Sequence, residues 1–126
     1  MKVIIDPHLD DLTGRIIGAA FTVSNTLGHG FLESVYKNAL VEELLNGGMR
    51  VAKEKAFRIT YREKDVGLYV ADLVVEDAVI IELKAIDALS SAHRAQLLNY
   101  LSASGLPVGL LMNFGRPRLE VRRVIR

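Results

Sequence analysis

At 126 residues, half of them hydrophobic, the chain has the length of a single domain able to bury a substantial core. Its formal net charge of +1 argues against a general polybasic nucleic-acid binder, although Arg116, Arg118, Arg122, Arg123 and Arg126 crowd one end while Asp6, Asp10 and Asp11 lie near the other. The lack of cysteine excludes disulfides, thiolate zinc sites and cysteine nucleophiles. An acid and a proline follow Met1-Lys2-Val3-Ile4-Ile5 before any signal-peptide core forms, and no apolar stretch approaches the ~20 residues of a membrane span, so a soluble cytoplasmic protein is expected.

Leu9, Leu12, Ile16, Ala20, Val23 and Leu27 recur at three- and four-residue steps, the pattern of one buried helical stripe, with Asp6-Pro7 as cap and first-turn proline. Gly28-His29-Gly30 breaks it. A second helix is expected from Phe31 to Asn46, carrying Val35, Tyr36, Ala39, Leu40 and Leu44 and ending at Gly47-Gly48. From Arg50 the period changes to two: Phe57, Ile59 and Tyr61 alternate with polar residues, and Glu63-Lys64-Asp65 reads as a turn.

Val66 to Val75 and Val79 to Ile86 follow as two more strands around Glu76-Asp77-Ala78, completing an antiparallel meander. Asp87 and Ser90-Ser91 signal a helix start, and Leu89, His93, Gln96, Leu97, Tyr100 and Leu101 carry that helix to Gly105. Val108 to Phe114 reads as a buried strand, Gly115-Arg116-Pro117-Arg118 as a turn, and Leu119 to Arg126 as a last, arginine-rich strand. The expected fold is an α/β sandwich in which helices flank a mixed sheet, residues 1–126 forming one domain.

Within this frame Val79-Ile80-Ile81-Glu82-Leu83-Lys84 stands out. Strand side chains alternate, so Glu82 and Lys84 project from one face and Ile81 and Leu83 from the other. Placing a carboxylate and an ammonium on an oily strand costs several kcal/mol unless they are paired, hydrogen-bonded or metal-bound. Asp72, on the preceding strand, stands opposite Glu82 on the same face only if the intervening loop has three residues, Glu76-Asp77-Ala78; a two-residue loop turns it away. The three-residue loop is therefore predicted, with Asp77 suited to the left-handed backbone such loops use.

Gly30-Phe31-Leu32-Glu33-Ser34-Val35-Tyr36 reads as G-x-x-E-x-x-Y, and Asp72, Glu82-Leu83-Lys84 and Gln96-x-x-x-Tyr100 follow it in order. As a set these resemble the small bacterial and archaeal GxxExxY proteins, grouped with the PD-(D/E)xK nuclease superfamily, and the Q-x-x-x-Y helix is similar to that of RecB-type and phage-type exonucleases. Ala71 stands where the superfamily name has proline. The resemblance implies a restriction-endonuclease-like fold and a phosphodiesterase acting on DNA or RNA with Mg²⁺ or Mn²⁺. Asp72 and Glu82 are the implied metal ligands, Glu33 a further one, and Lys84 orients water or stabilises negative charge. Gln96 joins these as a catalytic residue, while Tyr36, Tyr100, His93 and Arg58 are expected to contact substrate. So small a domain has little surface for a duplex, so a homodimer or protein partner is also expected.

Other readings stand beside these. Glu82 and Lys84 alone would suit an ordinary surface ion pair, and Tyr36 and Tyr100 would suit core positions with satisfied hydroxyls. The terminal arginines equally suit an edge strand kept from pairing with another molecule. The principal alternative function is a non-catalytic nucleic-acid-binding or protein-interaction subunit that retains the fold; a Schiff-base role for Lys84 explains neither Asp72 nor Gln96.

Overall fold

In a computed structural model describing residues 6–126, the Asp6 side chain accepts the His8 N–H at 2.8 Å and Pro7 opens helix α1, Pro7–Leu27. Residues Met1–Ile5, where the absence of a signal-peptide core was read, lie outside the described residues. Leu12, Ile16, Ala20 and Val23 form the buried stripe of α1, and Gly28, at φ 73°, ends it. Helix α2, Glu33–Asn46, begins two residues later than the sequence suggests, and Leu32 gives it no side-chain cap. Among the described residues no helix is long and apolar enough to cross a membrane.

The strands are β1 (Val51–Tyr61), β2 (Lys64–Val75), β3 (Val79–Lys84), β4 (Val108–Asn113) and β5 (Glu120–Ile125), with helix α3 (Ser91–Ser104) between β3 and β4. They form one sheet in sequential order. β1 to β3 are the expected antiparallel meander, β4 returns parallel to β3 after the α3 crossover, and β5 pairs antiparallel with β4. α1 and α2 cover one face through Leu73, Val75, Val79, Ile81, Leu83, Leu110 and Met112, whereas Leu97 and Leu101 of α3 pack on Ala71, Val74, Ile80 and Leu111 of the other. The expected α/β sandwich with a mixed sheet is the observed one.

Three boundaries differ for identifiable reasons. The β1–β2 connection is a two-residue turn at Arg62-Glu63, both left-handed at φ 50° and 66°, so Lys64 and Asp65 belong to β2 rather than to the turn. β3 stops at Lys84 rather than Ile86 because the Asn113 side chain takes both the N–H and the carbonyl of Ile86 (3.0 and 2.9 Å) and draws that segment out of the ladder. β5 begins at Glu120, after the buried Leu119.

The first hairpin also changes face midway. Val74 packs against α3 while Leu73 and Val75 face α1 and α2, yet Tyr69 and Ala71, of the same parity as Leu73, pack against α3. The register is identical on both sides of the break, Lys53↔Leu73 and Lys55↔Ala71, so both strands turn over together at Glu54 and Asp72. Glu54 takes a left-handed backbone, φ 52°, to do so. Beyond the break Phe57, Ile59 and Tyr69 face α3, and Val66, Leu68 and Val70 are left exposed.

Candidate active site

The hairpin loop meets its sequence requirement. Glu76-Asp77-Ala78 separates β2 from β3, with Glu76 and Asp77 both left-handed at φ 54° and 52°. The pairs Val75↔Val79, Val74↔Ile80 and Leu73↔Ile81 lead to Asp72 opposite Glu82 as the next rung. Backbone pairing ends there, and the Asp72 side chain replaces it, Oδ2 accepting the Leu83 N–H at 2.9 Å. The carboxylate thereby occupies the place where β2 and β3 part.

Glu82 is held from the other side by Tyr69, whose hydroxyl donates to its Oε1. Tyr69 lies in an aromatic stack, its ring 3.5 Å from Tyr100 of α3 and 6.0 Å from Phe57. Burial pushes the Glu82 carboxyl up to about 8; the Tyr69 hydrogen bond opposes the rise, Asp72 adds to it, and Lys84 opposes it. Burial and then the Glu82 hydrogen bond hold the Tyr69 hydroxyl far above its usual range, so it serves as a donor. Burial, then the Glu82 charge, raises Tyr100 as well.

Lys84 is half-buried and makes no ion pair among the described residues. With Glu33, Phe31, Leu32, Ala85 and Ile86 it lines an open cleft of about 420 Å³. Glu33, on the first turn of α2, has its carboxyl raised by burial and by Asp72 and lowered by Lys84 and Lys37, so the four charges form one electrostatic group. The cleft wall after Lys84 is braced by Asn113, fully buried, and by Gly115, where an added Cβ would stand 2.4 Å from the Ile86 backbone.

Other expected site residues are used differently. Tyr36 is fully buried, stacked on Phe114, and its hydroxyl donates to the Gly28 carbonyl at 2.7 Å and accepts the Phe31 N–H at 3.2 Å. It fixes the α1–α2 connection: where the sequence suggests a substrate contact, the hydroxyl donates and accepts inside the fold. The His93 ring Nδ1 accepts the Ser90 N–H in the capping box of α3. Gln96 is exposed on α3, with no hydrogen bond to either carboxylate among the described residues. Arg58 pairs with Asp65 at 3.6 Å, four rungs along the hairpin from Asp72.

Tyr69 and Asn113 were missed in the sequence. Asn113 had a signal, an amide inside the apolar run Val108–Phe114. Tyr69 had none, because strict alternation from Asp72 sends it to the opposite face.

Two half-buried carboxylates with an adjacent ammonium that lines a cleft match the donor chemistry of a hard divalent cation. Mg²⁺ needs only one or two protein carboxylates, its other positions being taken by water and phosphate oxygen. Among the described residues no group of three His, Cys, Asp or Glu side chains converges to cage an ion, so the fit is to an acid pair rather than a closed site. The model of the PD-(D/E)XK nuclease superfamily matches residues 10–124. The chain belongs to that superfamily.

The superfamily is named for an acid followed by acid-x-lysine, the pattern that Asp72, Glu82 and Lys84 present. The solved structure of SSO0001 is similar in fold, with a TM-score of 0.56 at 18% identity over 74% of this chain and 49% of that one. The chain thus spans about half the length of that structure. No curated protein matches.

Proposed function

We propose that this member of the PD-(D/E)XK superfamily is a Mg²⁺- or Mn²⁺-dependent nuclease of the GxxExxY group, cutting DNA in preference to RNA. The observation that supports the reading is the β2–β3 register, which ends at Leu73↔Ile81 and leaves Asp72 and Glu82 just beyond it, with Asp72 bonded to the Leu83 N–H and Lys84 two residues on from Glu82. Burial and Asp72 raise the Glu82 carboxyl, a cost that a cation held by Asp72 and Glu82 would relieve.

When bound, the cation supplies Lewis-acid stabilisation of the phosphate and acidifies its water. The chain's own residues divide the remaining work. Asp72, anchored by the Leu83 N–H, and Glu82, anchored by Tyr69, present oxygen donors at fixed positions. The Lys84 ammonium, free of ion pairs among the described residues, orients the attacking water or stabilises charge growing on the phosphate. Glu33 faces the same cleft and adds an oxygen donor for substrate-borne water or a second cation.

The test is incubation with end-labelled single-stranded, duplex and branched DNA and with RNA, in Mg²⁺, Mn²⁺ or EDTA, beside Glu82→Ala and Lys84→Ala. Cleavage that disappears in EDTA and in both variants is expected. Equal inertness of wild type and variants across the panel would overturn the reading.

A further inference from the structure

A second cleft of about 420 Å³ lies at the start of β5. It is lined by Phe21 of α1, Arg116 and Arg118 of the β4–β5 turn, and Leu119, Glu120, Val121 and Arg122 leading into β5. Its charged lining is three arginines and one carboxylate, and Arg116, Arg118 and Arg122 are exposed. Glu120 is already committed, accepting from the Asn113 amide at 2.9 Å, with Arg122 at 3.9 Å. Arg116 and Arg118 form no ion pair among the described residues, whereas Arg123, on the same strand, is paired with Asp10 at 2.8 Å.

The two clefts have no lining residue in common, but the β3–β4–β5 ladder links them. Lys84 is the sheet neighbour of Asn113, and Asn113 of Glu120, so the arginine cleft begins two strands from Lys84, a separation of about 10 Å. Gly115 packs on the Ala85–Ile86 backbone that edges the first cleft, and Arg116 follows it immediately. Both clefts therefore open at the end of the sheet where β3 and β4 finish.

We infer that the cleft of Arg116, Arg118 and Arg122 holds the phosphodiester backbone of a nucleic-acid strand whose neighbouring phosphate is presented to Asp72, Glu82 and Lys84. The inference rests on the nuclease reading for the identity of the polymer. Guanidiniums suit phosphate because their planar donor fork matches its oxygens, and the exposed Phe21 offers a face to sugar or base. Protection of the β5 edge explains Arg122 and Arg123, which are on the strand, but not Arg116 and Arg118, which lie in the turn before it.

The experiment measures binding of a fluorescent single-stranded oligonucleotide and its duplex by anisotropy in EDTA, across a KCl series, so that cleavage plays no part. Arg116→Ser/Arg118→Ser is compared with wild type and with Arg62→Ser, at the remote hairpin tip, and thermal melting confirms that each is folded. The double variant is expected to lower the slope of log affinity against log salt by about 0.7 to 0.9 per arginine, and to weaken binding roughly tenfold or more. Arg62→Ser should leave both unchanged, and Arg116→Lys/Arg118→Lys should restore most of the slope. An unchanged slope in the serine double variant, or wild type that binds neither oligonucleotide, would overturn the inference. A protein that binds with the expected slopes yet never cuts would instead remove the nuclease reading and leave a backbone-binding cleft.

Discussion

Leu83 donates its backbone N–H to the Asp72 carboxylate at 2.9 Å, where the β2–β3 ladder would otherwise have continued. The acid is thus a structural acceptor and a candidate metal ligand at once. Charge and hydrogen bond can be separated by substitution. Asp72→Asn keeps an acceptor for Leu83 and removes the charge, whereas Asp72→Ala leaves that N–H unpartnered, at about 1–3 kcal/mol. Melting curves should place Asp72→Asn near wild type and Asp72→Ala clearly below it, with cleavage lost in both. Equal stability of the two variants would show that the Leu83 bond contributes nothing.

The Glu82 carboxyl, raised from 4.5 to about 8, makes stability depend on pH with a definite sign. Between those values the folded chain binds more protons than the unfolded one, so stability of the metal-free protein falls as pH rises from about 4.5 and levels off above about 8. Glu82→Gln should flatten this slope in urea titrations run in EDTA. Tyr69→Phe removes the hydroxyl that favours the charged carboxylate, so the fall should extend to higher pH. A slope that survives Glu82→Gln would assign it to another group.

Removing the Tyr36 hydroxyl leaves the Gly28 carbonyl and the Phe31 N–H without their partner. Tyr36→Phe should therefore cost about 1–3 kcal/mol in denaturant unfolding. Nucleic-acid affinity, measured where the variant is fully folded, should not change. A loss of affinity at unchanged stability would restore Tyr36 to the substrate surface.

Gly115→Ala forces a methyl to within 2.4 Å of the Ile86 backbone, which cannot yield as a flexible side chain would. Overpacking of this kind costs about 1–3 kcal/mol. The strain falls on the Lys84–Ile86 wall, so cleavage should drop by more than the folded fraction does. Activity that simply tracks folding would place the wall outside the chemistry.

Much of this was legible in the residues. Helical stripes and strand alternation are local patterns, and among the described residues they yielded the three helices and five strands to within a few residues. The three-residue loop and the register that leads to Asp72 and Glu82 were equally legible, because hairpin register depends only on loop length and parity. Tyr69 was not, since its position on the Glu82 face depends on two strands turning over together at Glu54 and Asp72, with Glu54 left-handed.

The sequence by itself determined the order of elements, the three-residue loop and hence the acid pair with its lysine. Each follows from neighbours within a few positions along the chain. The tertiary structure alone decided that Tyr69 clamps Glu82, that Tyr36 spends its hydroxyl on the α1–α2 connection, and that Asn113 and Gly115 brace the wall behind Lys84. These roles arise where backbone groups far apart in the chain need partners, and a buried N–H or carbonyl takes whichever side chain the packing brings to it.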